Sequence, residues 1–160
     1  MNTAFSEYVL YEPILRVLVS QGFWVRCEYP CPGIPRKSRG DKKKIDFEAS
    51  KDACRIAVEV KWHRTRHLKI SDDCQKLAAF QQAYPDSYSF LCIFGKLSDI
   101  AKISLPTRQF EEPGGLIHAG FIRTRYGCRI FELRGKRTIR IFRTVSHPTH
   151  CPKCGAQIPE

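Results

Sequence analysis

The chain has 160 residues, of which 42% are hydrophobic, 11% aromatic and 27% charged. This composition can fill a core, so it excludes a wholly disordered chain and fits one domain with a small appendage. No stretch approaches the roughly 20 apolar residues of a membrane span, and the N-terminus lacks the basic-then-apolar pattern of a signal peptide. We therefore expect a cytoplasmic protein without a membrane partner.

The charge balance favours a polyanionic partner. Lys and Arg number 27 and Asp and Glu number 16, which gives a formal net charge of +11 at pH 7. So strong a positive charge on a small domain is typical of proteins that bind nucleic acid. The alternative is a basic surface that only keeps the protein soluble.

The first part of the chain predicts a helix and then three strands. The predicted bounds are 6–21 for the helix and 23–28, 42–50 and 54–62 for the strands. Ser6 can cap the helix, and Pro13 predicts a kink or a fresh start within it. Proline and glycine residues make 29–40 a loop, and the short turn 51–53 joins the last two strands into a hairpin.

The second part predicts a helix, a buried strand and a strand-rich extension. The predicted bounds are 71–84 for the helix, 88–94 for the strand, 98–103 for a short helix, and 114–124, 128–134 and 138–144 for a β-meander. Ser71 or Asp72 can cap the longer helix. The continuous apolar run 88–94 is expected of a strand covered on both faces. The fold class is therefore α/β, with the order αβββαβ through Phe94.

Charged residues lie among the hydrophobic residues of the hairpin strands. Asp46 stands between Ile45 and Phe47, and strand alternation places Glu59 and Lys61 on one face of the next strand. A charge at such a position costs several kcal/mol unless it is paired, exposed or metal-bound. Carboxylates on adjacent strands can bind one hard divalent cation such as Mg²⁺. The alternative is a set of ordinary cross-strand ion pairs.

The spacing of these residues resembles that of a known nuclease superfamily. Asp46, a gap of twelve residues and then Glu59-Val60-Lys61 is similar to the signature of the PD-(D/E)XK, or restriction-endonuclease-like, nucleases. Ile45 stands where the family name has a proline. The resemblance covers roughly residues 4–95 and includes the αβββαβ order, which implies a core with a mixed sheet.

The resemblance and the pattern of the remaining sequence together predict three parts of the chain. We expect a nuclease core over 1–105, a basic β-meander extension of the same domain over 106–145, and a zinc-knuckle tail over 146–160.

The resemblance also implies a function, that of a metal-dependent endonuclease that hydrolyses DNA phosphodiester bonds. Asp46, Glu59 and the backbone carbonyl of Val60 would bind Mg²⁺ or Mn²⁺. Lys61 would orient the attacking hydroxide and offset the charge that develops in the transition state. The protein would then be a Mg²⁺-dependent deoxyribonuclease.

Two helices offer further residues for the same site. Glu7 begins a segment that looks like the opening helix of many members and would add a carboxylate, with Glu12 as the competing candidate. In the second long helix Asp73, Gln75 and Lys76 are candidates, and Gln75 or Lys76 would contact a phosphate. The alternative is a solvated helix N-terminus, where acidic residues are favourable in any case.

Basic residues flank the expected metal site in the sequence. The candidates for contacts with the DNA backbone are Arg36, Lys37, Arg39, Lys42, Lys43, Lys44, His63, Arg64 and Arg66. The alternative for both clusters is a solvated loop.

The spacing of Cys151 and Cys154 is that of a zinc knuckle, in which a tight turn directs two thiolates at one ion. A structural Zn²⁺ needs two more ligands. Cys27 and Cys31 would complete the site and attach the tail to the core, with His147 or His150 as a substitute for one member. The alternative is a pair of free thiols.

Three functional classes therefore remain open. The leading hypothesis is the deoxyribonuclease. The second is a non-catalytic, zinc-containing protein that binds nucleic acid, and the third is a nuclease subunit that is active only in a larger complex. A core of this size also suits a homodimer.

Overall fold

The structure is a computed structural model of the 160-residue chain, and it describes residues 7–34, 42–63, 70–105, 110–118 and 125–134. Its elements in chain order are α1 (Glu7–Ser20), β1 (Trp24–Pro30), β2 (Lys44–Lys51), β3 (Cys54–His63), α2 (Ser71–Ala83), β4 (Tyr88–Lys96), α3 (Leu97–Ile100), β5 (Phe110–Glu111), β6 (Leu116–His118) and β7 (Tyr126–Leu133). The expected αβββαβ order is present from α1 to β4. None of the helices in these ranges is long and apolar enough to cross a bilayer.

In the described part of the chain, seven strands form one mixed sheet. Its order is β1-β2-β3-β4-β7-β5, and β6 also pairs with β7. Strands β3 and β4 run parallel, because α2 lies between them in the chain and provides the crossover. The other pairs described in this sheet are antiparallel.

The two long helices cover opposite faces of the sheet. Helix α2 packs Leu77 and Phe80 into one hydrophobic cluster, and α1 packs Leu10 and Ile14 against the other. The strands between them alternate, with Ala57, Leu91 and Ile93 on the α2 face and Val58, Val60 and Cys92 on the α1 face. This pattern confirms the predicted alternation of β3 and explains why β4 is apolar on both sides.

Local features bear on three of the sequence predictions. Helix α1 continues through Pro13, which excludes the predicted alternative of a fresh start there and leaves that of a kink. Helix α2 begins at Ser71, and Ile70 occupies the N-cap position without a side-chain hydrogen bond, so the predicted polar cap is wrong. The β2–β3 turn consists of Asp52 and Ala53 alone, and Asp52 adopts the left-handed region with a φ of 51°, which aspartate tolerates better than most residues.

The predicted meander is described only in part. Strand β6 covers three residues of the predicted segment 114–124. It pairs with β7, which corresponds to the predicted strand 128–134 but runs from Tyr126 to Leu133. The third predicted strand, 138–144, lies outside the described residues. Strand β7 also pairs along β4, so this part of the chain widens the same sheet. The two-residue strand β5 was not predicted.

The side chain of Arg129 ties the segment after α3 to β7. Its Nε and Nη2 atoms donate to the carboxylate of Glu112 at 2.8 and 2.6 Å. Its Nη1 atom donates to the backbone oxygens of Ile100 and Ile103 at 2.9 and 2.7 Å. The hydrogen bond with Arg129 lowers the pKa of Glu112. One largely buried guanidinium therefore satisfies two backbone carbonyls and one carboxylate.

We predict that Arg129→Met lowers the free energy of unfolding by about 2 kcal/mol, because it leaves the carboxylate and two carbonyls without their donor. Urea unfolding followed by circular dichroism measures the change. Arg16→Met is the matched control, since Arg16 pairs with Glu12 on the exposed surface of α1 and should contribute little. Equal stability of the two variants would contradict the prediction.

Candidate active site

Asp46 lies where the regular pairing of β2 is interrupted. The β2–β3 pairing stops at Phe47↔Val58, immediately after Asp46 in the chain. The β1–β2 pairing skips Asp46 together with Glu28, whose φ of 52° is left-handed. The Oδ2 atom of Asp46 accepts a hydrogen bond from the backbone N–H of Val60 at 2.7 Å. The side chain thus satisfies a backbone donor that the ladder leaves open.

Tyr11 of α1 binds the other oxygen of Asp46. Its hydroxyl donates to Oδ1 at 2.5 Å, and its ring packs against Phe47 with the centroids 4.6 Å apart. Burial and the bond to Asp46 both raise the pKa of Tyr11, so it remains a hydrogen-bond donor. Burial raises the pKa of Asp46, although the bonds from Tyr11 and Val60 oppose this rise.

Glu59 is the most buried acid of this cluster, at 2% exposure. Its Oε2 atom accepts a hydrogen bond from the Nζ atom of Lys76 at 2.6 Å. Its Oε1 atom is buried and has no hydrogen-bond partner among the described residues. Burial and then the nearby charge of Asp46 raise the pKa of Glu59 to about 9, even though Lys76 lowers it. The region around Glu59 is therefore short of positive charge.

Asp73 of α2 links two lysines to the acids. It is 6% exposed, and its two oxygens lie 3.2 Å from the Nζ atom of Lys61 and 3.1 Å from that of Lys76. Burial alone would lower the pKa of Lys76, but its bonds to Glu59 and Asp73 raise it overall. We call Asp46, Glu59, Lys61, Asp73 and Lys76 the acid–lysine cluster.

The cluster contains most of the residues that the sequence singled out. Asp46, Glu59, Lys61 and Lys76 come together, and Asp73 is more central than the sequence suggested. Tyr11 was not among the residues predicted from the sequence. The one available signal was its position beside Leu10 and before Ile14, on the side of α1 that packs against the sheet.

Three candidates lie elsewhere or are not described in full. Gln75 is exposed on α2, and no hydrogen bond within the described ranges joins it to the cluster. Glu12 is exposed and pairs with Arg16. Glu7 is the first residue of α1, and its side chain lies outside the description. Helix α1 instead contributes Tyr11, which donates a hydrogen bond to Asp46.

The donor set fits a magnesium ion that keeps several of its waters. In the described part of the chain, no group of three or more His, Cys, Asp or Glu side chains could hold a metal ion alone. Mg²⁺ is commonly bound by one or two carboxylates, with water and substrate phosphate as the remaining ligands. Asp46 and Glu59 match that pattern, and the unpartnered Oε1 of Glu59 is the kind of oxygen that such an ion binds.

The expected DNA-contacting residues are described in part. Lys42 is exposed, whereas Lys43 and Lys44 form long ion pairs with acids of α2 and β1 at 3.4 and 3.8 Å. His63 ends β3, and its buried Nδ1 atom has no hydrogen-bond partner in the ranges described. The remaining candidates, Arg36, Lys37, Arg39, Arg64 and Arg66, lie outside the described residues.

The structure does not bring Cys27 and Cys31 together as zinc ligands. Cys27 pairs with Phe47 and so lies on the α1 face, while Cys31 is buried in the cluster beneath α2. The thiol of Cys31 donates to the backbone oxygen of Lys76 at 3.5 Å, and burial raises its pKa. The two thiols therefore lie on opposite faces of the sheet, and the four-cysteine zinc site stays a prediction. The other candidates, Cys151, Cys154, His147 and His150, lie outside the described residues.

The chain has a partial likeness to solved structures. No protein-family model and no curated protein sequence matches the chain. Among solved structures, the chain is similar to Hjc of Archaeoglobus fulgidus, a Holliday junction resolvase from an archaeal hyperthermophile, with 20% sequence identity and a TM-score of 0.34. The match covers 52% of this chain and 65% of the resolvase chain, which is less than two thirds of that protein.

We predict that Glu59→Gln stabilises the metal-free protein, and that the gain grows as the pH rises. Between 4.5, the ordinary pKa of glutamate, and the raised value of about 9, the folded protein keeps a proton that the unfolded chain has lost. The free energy of unfolding of the wild type therefore falls through this window, and glutamine removes that loss. Thermal melts in a metal chelator should show an advantage of several degrees at about pH 8 that shrinks towards about pH 5.

Glu12→Gln is the matched control for this measurement, because it replaces an exposed carboxylate on α1. Its melting temperature should follow that of the wild type across the range. A Glu59→Gln variant that melts below the wild type at about pH 8 would contradict the prediction.

Proposed function

We propose that the chain is a metal-dependent endonuclease that hydrolyses DNA phosphodiester bonds with Mg²⁺ or Mn²⁺. One observation carries the proposal: the buried, unpartnered Oε1 of Glu59 lies in a cluster that also contains the carboxylate of Asp46. Burial and the nearby charge of Asp46 both raise the pKa of Glu59, so Glu59 is costly to ionise and a cation would offset that cost. Such perturbed groups are concentrated at catalytic sites.

Asp46, Glu59 and the backbone carbonyl of Val60 would hold the ion. Glu7, at the start of α1, remains the candidate for an additional carboxylate. When bound, a divalent cation polarises the scissile phosphate and lowers the pKa of an attacking water. The bonds from Tyr11 and Val60 fix both oxygens of Asp46 and so orient its remaining lone pairs.

Lys61 supplies a positive charge for the reacting phosphate. Its ion pair with Asp73 holds the ammonium on the same face of β3 as Glu59. Because its side chain keeps 25% exposure, it can reach a phosphate that enters from solvent. In that position it would stabilise the negative charge that develops on the phosphate oxygens.

The charge of the chain supports DNA as the substrate. The net charge of +11 favours a polyphosphate, and the strands that carry Asp46 and Glu59 continue directly into basic segments of the sequence. Lys42, Lys43 and Lys44 precede Asp46, and His63 follows Lys61. Phosphate contacts on both sides of the acids would place the backbone across them.

We predict that Asp46→Asn, Glu59→Gln and Lys61→Met each lower kcat for DNA cleavage at least about 100-fold. Each removes a group that would bind the ion or stabilise the transition state, while most phosphate contacts remain. Cleavage is measured on plasmid, linear and branched DNA with Mg²⁺ or Mn²⁺, and DNA binding is measured by gel-shift assays in a chelator.

The matched controls for this assay lie at the other end of the hairpin. Asp52→Asn and Lys51→Met make the same chemical changes at exposed positions, so both should cleave as the wild type does. Equal cleavage by the wild type and all three site variants would rule out this active site. No cleavage of any DNA by the wild type with either metal would count against the function itself.

We predict a smaller effect for Tyr11→Phe, a loss of about 10-fold in kcat, because it removes only the bond that orients Asp46. The ring remains, so its packing against Phe47 should persist and the melting temperature should change little. A role for Tyr11 in packing alone predicts wild-type kcat instead. Steady-state cleavage and thermal melts of the same preparation distinguish these outcomes.

A further inference from the structure

The ammonium group of Lys76 is enclosed by oxygen atoms inside the proposed metal site. Its Nζ atom lies 2.6 Å from Oε2 of Glu59, 3.1 Å from Oδ1 of Asp73 and 3.0 Å from the backbone oxygen of Lys44. An ammonium has three N–H donors, so these three acceptors satisfy all of them. The side chain is only 13% exposed. A cation with an all-oxygen environment already occupies the place beside Glu59.

We propose that Lys76 is a built-in counter-ion that competes with the divalent metal for Glu59 and thereby sets the metal affinity of the site. In the metal-free protein its charge stabilises the buried acids. An ion at Oε1 of Glu59 would repel the ammonium at Oε2 and displace it towards Asp73. This inference rests on the proposed function, because it takes Glu59 as a metal ligand.

The position of Lys76 on α2 allows that exchange. Asp73 is on the same helix three residues earlier, so it lies on the same side of α2 and remains a partner when Glu59 turns to the ion. The four-carbon stem of lysine can move its charge without moving the helix. Asp73 also binds Lys61. Lys76, once displaced from Glu59, and Lys61, which would face the phosphate, would therefore share Asp73 as their acceptor.

The same contacts argue against Lys76 as a simple phosphate ligand. A lysine that waits for DNA is expected on the surface with unsatisfied donors, whereas Lys76 is largely buried and all three of its donors are used. Its strongest partner by distance is a proposed metal ligand. The geometry therefore indicates that Lys76 affects the binding of the metal ion in the DNA-free protein.

Isothermal titration of MgCl₂ into the DNA-free protein at one fixed pH tests the proposal. Lys76→Met removes the competing charge but keeps the length of the side chain, so the Kd for Mg²⁺ should fall about tenfold or more. Lys51→Met removes one positive charge at the exposed end of β2 and should leave the Kd within about twofold of wild type. Thermal melts without metal should show Lys76→Met less stable than the wild type, because Glu59 loses its partner.

The outcomes separate this proposal from the proposed function. Tighter Mg²⁺ binding by Lys76→Met, with no such change in Lys51→Met, supports the proposal. Equal or weaker binding by Lys76→Met, while the wild type binds Mg²⁺, overturns it and leaves the nuclease assignment intact. No Mg²⁺ or Mn²⁺ binding by the wild type overturns both. If Lys76→Met does not fold, Lys76→Gln carries the same test, since it keeps a donor for Glu59 without the charge.

Discussion

The burial of acidic side chains at an interruption of the sheet is the constraint on which the proposed site depends. In a regular strand, alternate residues face alternate sides, so residues two apart share a face. Around Asp46 this rule fails, because Ile45 packs on the α2 face and Phe47 on the α1 face. The interruption lets Asp46 bind Tyr11 from one side of the sheet while it interacts with Glu59 on the other. One local irregularity thus joins groups from both helices.

Burial of an acid alone does not mark the site, as Glu48 shows. It is fully buried two residues after Asp46, and its Oε1, like that of Glu59, has no hydrogen bond in the described ranges. Its two oxygens nevertheless lie 2.9 Å from Arg26 and 3.2 Å from Arg55. Those arginines come from the neighbouring strands β1 and β3, so two cations supplied by the chain compensate one carboxylate. Glu59 has one lysine, shared with Asp73, and a second acid nearby. The difference in charge balance, rather than the depth of burial, distinguishes a structural acid from a candidate metal ligand.

Local pattern was enough to predict the face of each β3 residue and the order of the core elements. Alternation placed Glu59 and Lys61 together, because the period of a strand depends only on its own backbone. The contacts of Tyr11 and Asp73 could not be predicted in the same way, since they join residues that are distant in sequence. Their partners become visible only when the helices are packed.

The placement of Cys27 and Cys31 on opposite faces has a local cause that composition does not reveal. Residues four apart in a regular strand point to the same side, which would have placed Cys27 and Cys31 together. The left-handed backbone of Glu28 interrupts that alternation, and the second thiol enters the core under α2 instead. A glutamate in the sequence does not predict a positive φ, because this conformation is uncommon for a residue with a long side chain.

Charge balance also connects the site with a phosphodiester substrate. The three carboxyl groups of the acid–lysine cluster exceed its two ammonium groups by one, so full ionisation leaves one negative charge in a buried place. Uptake of a proton by Glu59 would remove that charge in the metal-free protein, in line with its raised pKa. A divalent cation in place of the proton would leave one positive charge. The single negative charge of a DNA phosphodiester would then return the cluster to neutrality, so the metal-bound site is electrostatically complementary to the group that we propose it cleaves.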